Sequence, residues 1–273
     1  MTTLTVAPPA RFGDLIAAEW IKLRSLRSTA WTLMLTTVFV VGSAAVAALA
    51  DVRNLAGGAA GRAWPDGFMP FDAYPPAGYL TLMLVAGSAG ALTVVSEYGT
   101  GLVRTTTVAV PARGSVVLAK AVVTGVVWTV AGAVISTGSF LVAQAVLDGE
   151  GVGVSITHPG VARALVASAL LAPVCGVVGV GLGVLIRQSA MTMVTNAFLL
   201  LMLPMLFSTS SRWSADVNHV TLFAAWKRLV QNWGDSPDNL EYTATVPGAV
   251  AVFVLWPLVA VVLAVLAVRR RDV

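Results

Sequence analysis

Charged residues are scarce in this chain: Asp, Glu, Lys and Arg make up 11% of its 273 residues, whereas 57% are hydrophobic. Soluble domains average about 25% charged residues and about 45–50% apolar ones. Cys175 is the single cysteine, which excludes an intrachain disulfide and a cysteine-based metal framework. The two histidines, His158 and His219, are too isolated to suggest a metal site. We therefore expect a polytopic membrane protein without a cofactor or metal of its own.

Motifs for chemistry are also missing. The sequence has no G-x-x-x-x-G-K-[ST] phosphate loop and no catalytic constellation, so we predict that the chain is not an enzyme. Ion-coupled carriers usually keep an ionisable side chain at membrane depth. Here Lys120 and Arg163 lie near the ends of apolar segments, where we expect their long side chains to reach toward the headgroups. Active transport would therefore need energy from a partner.

Six apolar segments are long enough to cross a hydrocarbon core of about 30 Å. They predict an all-α polytopic protein in which residues 11–273 form one transmembrane domain after a disordered segment at residues 1–10. Ser28 or Thr29 is the predicted N-cap of the first span, and Ser115 that of the third. The predicted spans are residues 30–50, 77–95, 115–147, 161–186, 190–207 and 246–268.

A predicted amphipathic helix over residues 11–27 precedes the first span. One face of that helix is apolar, and basic residues flank it, which is typical of a helix lying in the headgroup plane. A soluble cap helix is the alternative. The apolar face consists of Phe12, Leu15, Ile16, Trp20 and Leu23.

The basic residues indicate an orientation. With the N-terminus inside and six spans, eleven of the 17 Lys and Arg residues lie inside. The positive-inside rule then places both termini in the cytoplasm. Contact with anionic lipids explains the sequence pI near 9.6 without nucleic acid as a partner.

The segment Ser96–Lys120 carries most of the charge between the second and third spans. Glu97 and Arg104 are seven residues apart, so they share a face if Glu97–Ala109 is helical. Pro111 would end that helix. The pattern indicates a surface helix on which a cytoplasmic partner docks, and a simple basic connector is the alternative.

Three segments resemble the permease subunit of type-2 ATP-binding-cassette (ABC) exporters, in the form common in actinobacteria. They are AEWIKLRSLRSTAWTLMLT, SEYGTGLVRTTTVAVPARGSVVLAK and WPLVAVVLAVLAVRRRD. The six-span pattern extends the resemblance over most of the chain. The most specific matches are Glu97, Tyr98, Arg104, Pro111, Arg113 and Lys120 in the second segment, and Glu19, Trp20, Lys22, Leu23 and Arg24 in the first.

The resemblance implies a permease in the bacterial plasma membrane that forms the translocation path of an exporter. Two permease copies, identical or different, would each dock on a separate cytoplasmic ATPase subunit, which would hold the ATP and magnesium. Residues 97–113 would be the coupling helix, and the N-terminal amphipathic helix would be the connecting helix. The resemblance also implies a segment dipping into the outer leaflet between spans 5 and 6, for which Leu222, Trp226, Leu229 and Trp233 form the candidate stripe.

Two packing features leave alternatives open. Gly179-x-x-x-Gly183 in the fourth span is a candidate dimer face. Asn196 and Gln144 are polar residues in the spans, which either join helices by hydrogen bonds or touch substrate.

Two other functions also remain open: an integral scaffold or sensor that transports nothing, and a passive channel or ion-coupled carrier. The substrate is not predicted.

Overall fold

A computed structural model describes residues 11–56, 70–103, 105, 112–151, 153–232 and 242–270. These residues are helical throughout, apart from turns and short connections. The predicted disordered segment 1–10, together with Arg104, Pro111 and Trp233, lies outside the described residues. The helices are α1 (Phe12–Ser25), α2 (Arg27–Ala56), α3 (Pro70–Ala73), α4 (Pro76–Thr100), α5 (Arg113–Asp148), α6 (Val161–Ile186), α7 (Ser189–Ala197), α8 (Leu203–Leu206), α9 (Arg212–His219), α10 (Leu222–Val230) and α11 (Val246–Arg270).

Within the described part of the chain, six helical segments are long and apolar enough to cross a membrane. Five are the single helices α2, α4, α5, α6 and α11. The sixth joins α7 and α8 through a π-helical turn at Phe198–Met202. The prediction of an all-helical fold with six segments able to span a membrane is thereby confirmed for the described residues.

Most helices extend beyond the predicted spans, because polar residues at the membrane surface continue the same backbone hydrogen bonding. α2 begins at Arg27, so Ser28 and Thr29 lie within its first turn and the predicted cap is wrong. α5 begins at Arg113 after Ala112, so the predicted cap at Ser115 is also wrong. Val161–Ile186 agrees with the predicted fourth span.

Glycines bring α4 and α6 into backbone contact at the centre of the bundle. A Cβ atom added to Gly90 would lie 2.0 Å from the carbonyl oxygen of Gly176, and one added to Gly179 would lie 1.9 Å from that of Gly87. A Cβ on Gly183 would be 3.0 Å from the carbonyl oxygen of Ala91. The candidate dimer face is therefore wrong: these glycines pack inside the chain, because small residues allow two helices to approach closely.

α10 packs its apolar face against the bundle. The Trp226 ring is fully buried, stacks on Tyr79 at 5.0 Å between ring centroids and donates a hydrogen bond from Nε1 to Ser168 Oγ at 3.1 Å. Leu222 and Leu229 are also buried. An apolar helix face does not distinguish protein from lipid, so the prediction that this stripe faces lipid is wrong for Leu222, Trp226 and Leu229; its position in the outer leaflet stays a prediction.

Arg163 secures the end of α10. Its Nε donates to the carbonyl oxygen of Leu229 at 2.9 Å, and its Nη2 donates to that of Gln231. It therefore satisfies carbonyl groups that a helix C-terminus leaves open. The side chain does not reach toward headgroups as predicted.

Tyr79 and Glu97 mark the two ends of the bundle. Both lie on α4, eighteen residues apart, which corresponds to about 27 Å along a helix. We call the end of the bundle where α10 packs on Tyr79 the Trp226 end. The opposite end is called the Glu97 end, and it holds the N-terminus of α5 and the C-termini of α4, α6 and α11. Glu97–Val103 and α10 therefore lie at opposite ends of the described bundle. The side of the membrane that each end faces stays a prediction.

Candidate functional site: a buried charge cluster

Four charged side chains from three helices meet at the Glu97 end. α1 contributes Glu19 and Lys22, the last turn of α4 contributes Glu97, and α5 contributes Lys120. Four ion pairs of 2.7–2.8 Å connect them into what we call the charge cluster. It joins residues as much as 101 positions apart in the chain.

Lys120 lies at the centre of the charge cluster and is only 5% exposed. Its Nζ donates to Glu19 Oε2 and Glu97 Oε1, both at 2.7 Å, and to the carbonyl oxygen of Thr93 at 3.3 Å. These three acceptors use all three donors of the ammonium group. The expectation that Lys120 extends toward headgroups is therefore wrong, because α1 covers it and supplies a carboxylate.

Lys22 forms the accessible side of the charge cluster, with 39% of its side chain exposed. Its Nζ donates to Glu19 Oε1 at 2.7 Å and to Glu97 Oε1 at 2.8 Å. Partial burial opposes the charged form, but the hydrogen bonds to both carboxylates outweigh it and raise the pKa of Lys22 above its ordinary value. Lys22 therefore stays protonated at physiological pH.

The charge cluster is balanced, with two carboxylates and two ammonium groups. Burying such groups costs several kcal/mol per ion, which only well-formed pairing and hydrogen bonding offset. Removing one member leaves the other three with one buried charge that is no longer compensated. We conclude that the charge cluster holds α1 in a defined position against the ends of α4 and α5.

A cavity of about 430 Å³ lies beside the charge cluster, between α1, α2, α4 and α5. Glu19, Lys22, Glu97 and Lys120 line it at the charged part. Its remaining wall includes the apolar side chains of Leu23, Leu26, Leu33, Ala89, Leu92, Leu102, Val123, Val127 and Trp128. Serine and threonine residues complete the lining: Ser25, Ser28, Thr29, Thr32, Thr93, Ser96, Thr100 and Thr124. The site thus combines a charged region with a mostly apolar chamber.

The predicted coupling residues are distributed differently from the expected surface helix. Glu97 is buried within α4, which continues to Thr100 and ends at Gly101 with φ of 75°. The predicted start of a separate helix at Glu97 is therefore wrong: glycine adopts this left-handed conformation readily and ends α4 three residues beyond Glu97. Leu102, Val103 and Thr105 are helical again, and residues 106–109 lie outside the described residues. Arg104, the expected companion of Glu97, falls outside the described residues.

Tyr98 and Arg113 lie close to the charge cluster without joining its ion pairs. The guanidinium carbon of Arg187 stands 5.2 Å from the centre of the Tyr98 ring, a cation–π distance. Arg113 is partly buried in the first turn of α5. Both line a small cavity of about 50 Å³ together with Glu97 and Lys120.

The other predicted residues of α1 face away from the bundle. Trp20 is 46% exposed, and Arg24 is exposed as well. Glu19, between the apolar positions of the predicted stripe, is instead the buried residue of this helix. The stripe is only partly covered, with Leu15, Ile16 and Leu23 partly buried, whereas Glu19 makes buried ion pairs to the bundle.

Asn196 and Gln144, the two polar residues predicted within the spans, lie away from the charge cluster. Asn196 is fully buried just before the π-helical turn and donates from Nδ2 to Ser88 Oγ of α4 at 3.3 Å. Gln144 Oε1 accepts a hydrogen bond of 2.7 Å from the backbone N–H of Val154, which fixes the connection after α5. The structure does not bring either residue to the charge cluster.

A separate acidic residue, Asp72 in α3, belongs to the Trp226 end and was not predicted. Burial, with a smaller contribution from the nearby carboxylate of Asp51, raises the pKa of Asp72 to about 7. Its Oδ2 atom is buried without a hydrogen-bond partner among the described residues. Asp72 therefore changes charge near neutral pH.

Sequence reasoning identified three members of the charge cluster as candidate residues, but not their contacts with one another or the central position of Lys120. The pairing of Glu19 with Lys22 at i,i+3 was a possible signal. A second possible signal was Lys120, a basic residue early in α5 with no acidic residue close to it in the sequence.

No protein-family model and no curated protein matches this chain.

Proposed function

We propose that this chain is the permease subunit of an ATP-driven exporter of the type-2 ABC kind, moved by separate ATPase subunits. The charge cluster is the observation that carries the proposal. It joins α1 to the adjacent ends of α4 and α5. In the family that the sequence resembles, α1 corresponds to the connecting helix, and the ends of α4 and α5 flank the coupling segment. A force applied at this end would therefore act on three helices together.

In this proposal, ATP binding draws two ATPase subunits together, and each pushes on the connection between α4 and α5. The pairs of Lys120 with Glu97 and Glu19 transmit the displacement because a buried, satisfied ionic network resists separation. α1 then moves with α4 and α5, and the first span follows through the short break at Leu26. Repeated binding and hydrolysis of ATP would alternate the access of the path between the two permease copies.

The composition also supports a permease that forms the path and a separate partner that supplies the energy. The six candidate spans consist mainly of apolar residues, and the sequence carries no phosphate-binding loop. The energy is therefore assigned to the partner, while the permease provides the path. Orientation follows the basic residues, with the Glu97 end in the cytoplasm.

Affinity purification of the tagged chain from its host membrane in mild detergent tests the proposal. We expect an ABC ATPase subunit to purify with it in a fixed ratio and to hydrolyse ATP. A matched preparation with Trp20→Ala and Arg24→Ala on the exposed face of α1 should retain less ATPase subunit. An intact chain that repeatedly purifies without any ATPase would contradict the proposal and favour a scaffold or an ion-coupled carrier.

A further inference from the structure

The cavity beside the charge cluster has unused hydrogen-bonding capacity. Glu97 Oε1 accepts from both lysines, whereas Oε2 has no hydrogen bond from a described residue. Lys22 donates to two carboxylates and has three donors, so one N–H remains available on its exposed side. A ligand in the cavity could therefore donate to Glu97 and accept from Lys22.

Charge balance restricts the ligand further. Because the two carboxylates and two ammonium groups already compensate each other, a ligand of net charge would add an uncompensated charge to a partly buried site. A zwitterion leaves the balance intact and pairs with both signs. The ligand group that fits is a primary ammonium next to a phosphate.

The remaining cavity is suited to a hydrocarbon chain. Its volume of about 430 Å³ is within the usual range of about 300–1,000 Å³ for ligand pockets. Ala89, Val127 and Trp128 line its wall. Leu26 and Leu92 also line it, yet they are 57% and 50% exposed, so the cavity opens at the side of the bundle. Leu92 belongs to a candidate span, so the opening includes a position at membrane depth.

We propose that the cavity binds a phospholipid of the adjoining leaflet that carries a primary ammonium and a phosphate. The phosphate accepts from Lys22, the ammonium donates to Glu97, and one acyl chain enters the space between α2, α4 and α5. The lipid would then contact the same residues that hold α1 in position. This inference goes beyond the proposed function and does not depend on an ATPase partner.

Native mass spectrometry of the delipidated full chain tests the headgroup. Lysophosphatidylethanolamine and lysophosphatidylglycerol of equal chain length are titrated separately. The first carries an ammonium and a phosphate, the second a phosphate alone. We expect the Kd for lysophosphatidylethanolamine to be at least tenfold lower. Equal Kd values would overturn the proposal, because the cavity would then accept any alkyl chain.

A pair of variants on α4 tests the location. Ala89→Phe places a ring in the cavity, whereas Ala77→Phe makes the same change at an exposed position of the same helix. We expect Ala89→Phe to weaken lysophosphatidylethanolamine binding at least tenfold and Ala77→Phe to leave it within twofold of the unmodified chain. Equal binding by both variants would place the lipid elsewhere and overturn the assignment. The headgroup comparison on the unmodified chain decides the proposal even if Ala89→Phe does not fold.

Discussion

Replacing Lys120 by methionine tests the buried ion pairs of the charge cluster most directly. Methionine keeps most of the length and apolar contact of the side chain but removes the ammonium that pairs with Glu19 and Glu97. Both carboxylates then depend on Lys22, whose side chain is 39% exposed. The variant therefore leaves buried negative charge with insufficient compensation.

The expected cost follows from this geometry. Lys120 is 5% exposed and both ion pairs measure 2.7 Å, so the change breaks a buried pair rather than a surface one. Such losses amount to about 3–5 kcal/mol of unfolding free energy. At roughly 2–4 °C per kcal/mol for chains of this size, the Tm should fall on the order of 10 °C.

Thermal unfolding in one detergent, followed by tryptophan fluorescence, measures this difference. Lys227→Met is the matched control, because Lys227 is exposed on α10 and its loss should cost about 1 kcal/mol or less. The double variant Lys120→Met with Glu97→Gln should be less destabilised than the sum of the two single variants, since it removes charge of both signs. Equal Tm values for Lys120→Met and Lys227→Met would refute a buried, paired Lys120.

Three further predictions concern packing, pH and orientation. Gly179→Ala should destabilise the bundle by about 1–3 kcal/mol, as seen in its Tm, because the added Cβ would meet the Gly87 carbonyl oxygen at 1.9 Å; an unchanged Tm would contradict the close approach of α4 and α6. Because the pKa of Asp72 is raised to about 7, its stabilising contribution is complete below the unfolded pKa of about 3.9 and is lost as pH rises through 7. Asp72→Asn should therefore raise the Tm at pH 8.5 and much less at pH 5, and an equal effect at both would contradict this. A cysteine at exposed Asp216 should react with an impermeant maleimide in intact cells, whereas one at exposed Thr105 should react only after permeabilisation; the reverse pattern would invert the orientation.

Hydropathy was sufficient to predict the six spans, because a continuous apolar segment of about twenty residues has few other stable arrangements. It could not predict where the helices end. α4 continues through polar residues to Gly101, whose backbone conformation ends it. Side-chain polarity marks the membrane boundary, whereas backbone hydrogen bonding and capping mark the helix boundary.

The partners of apolar and charged faces were harder to predict. Trp226 and Gly179 gave correct signals for a buried face and a close helix contact, but protein and lipid surroundings favour the same residue types. The charge cluster combines residues from α1, α4 and α5, so its formation depends on tertiary packing. Spacing along the chain does not specify which distant charges pair.

The most direct test of the central claim is a distance between the two ends of the bundle, the Glu97 end and the Trp226 end, measured by double electron–electron resonance. Spin labels at Ala18 of α1 and Asp216 of α9 occupy exposed positions, and the native Cys175 is fully buried. In the complex with its ATPase partner, we predict that ATP with vanadate shifts the distance distribution, and that Glu97→Gln abolishes the shift. An unchanged distribution in the otherwise unmodified chain, while the partner hydrolyses ATP, would contradict the account.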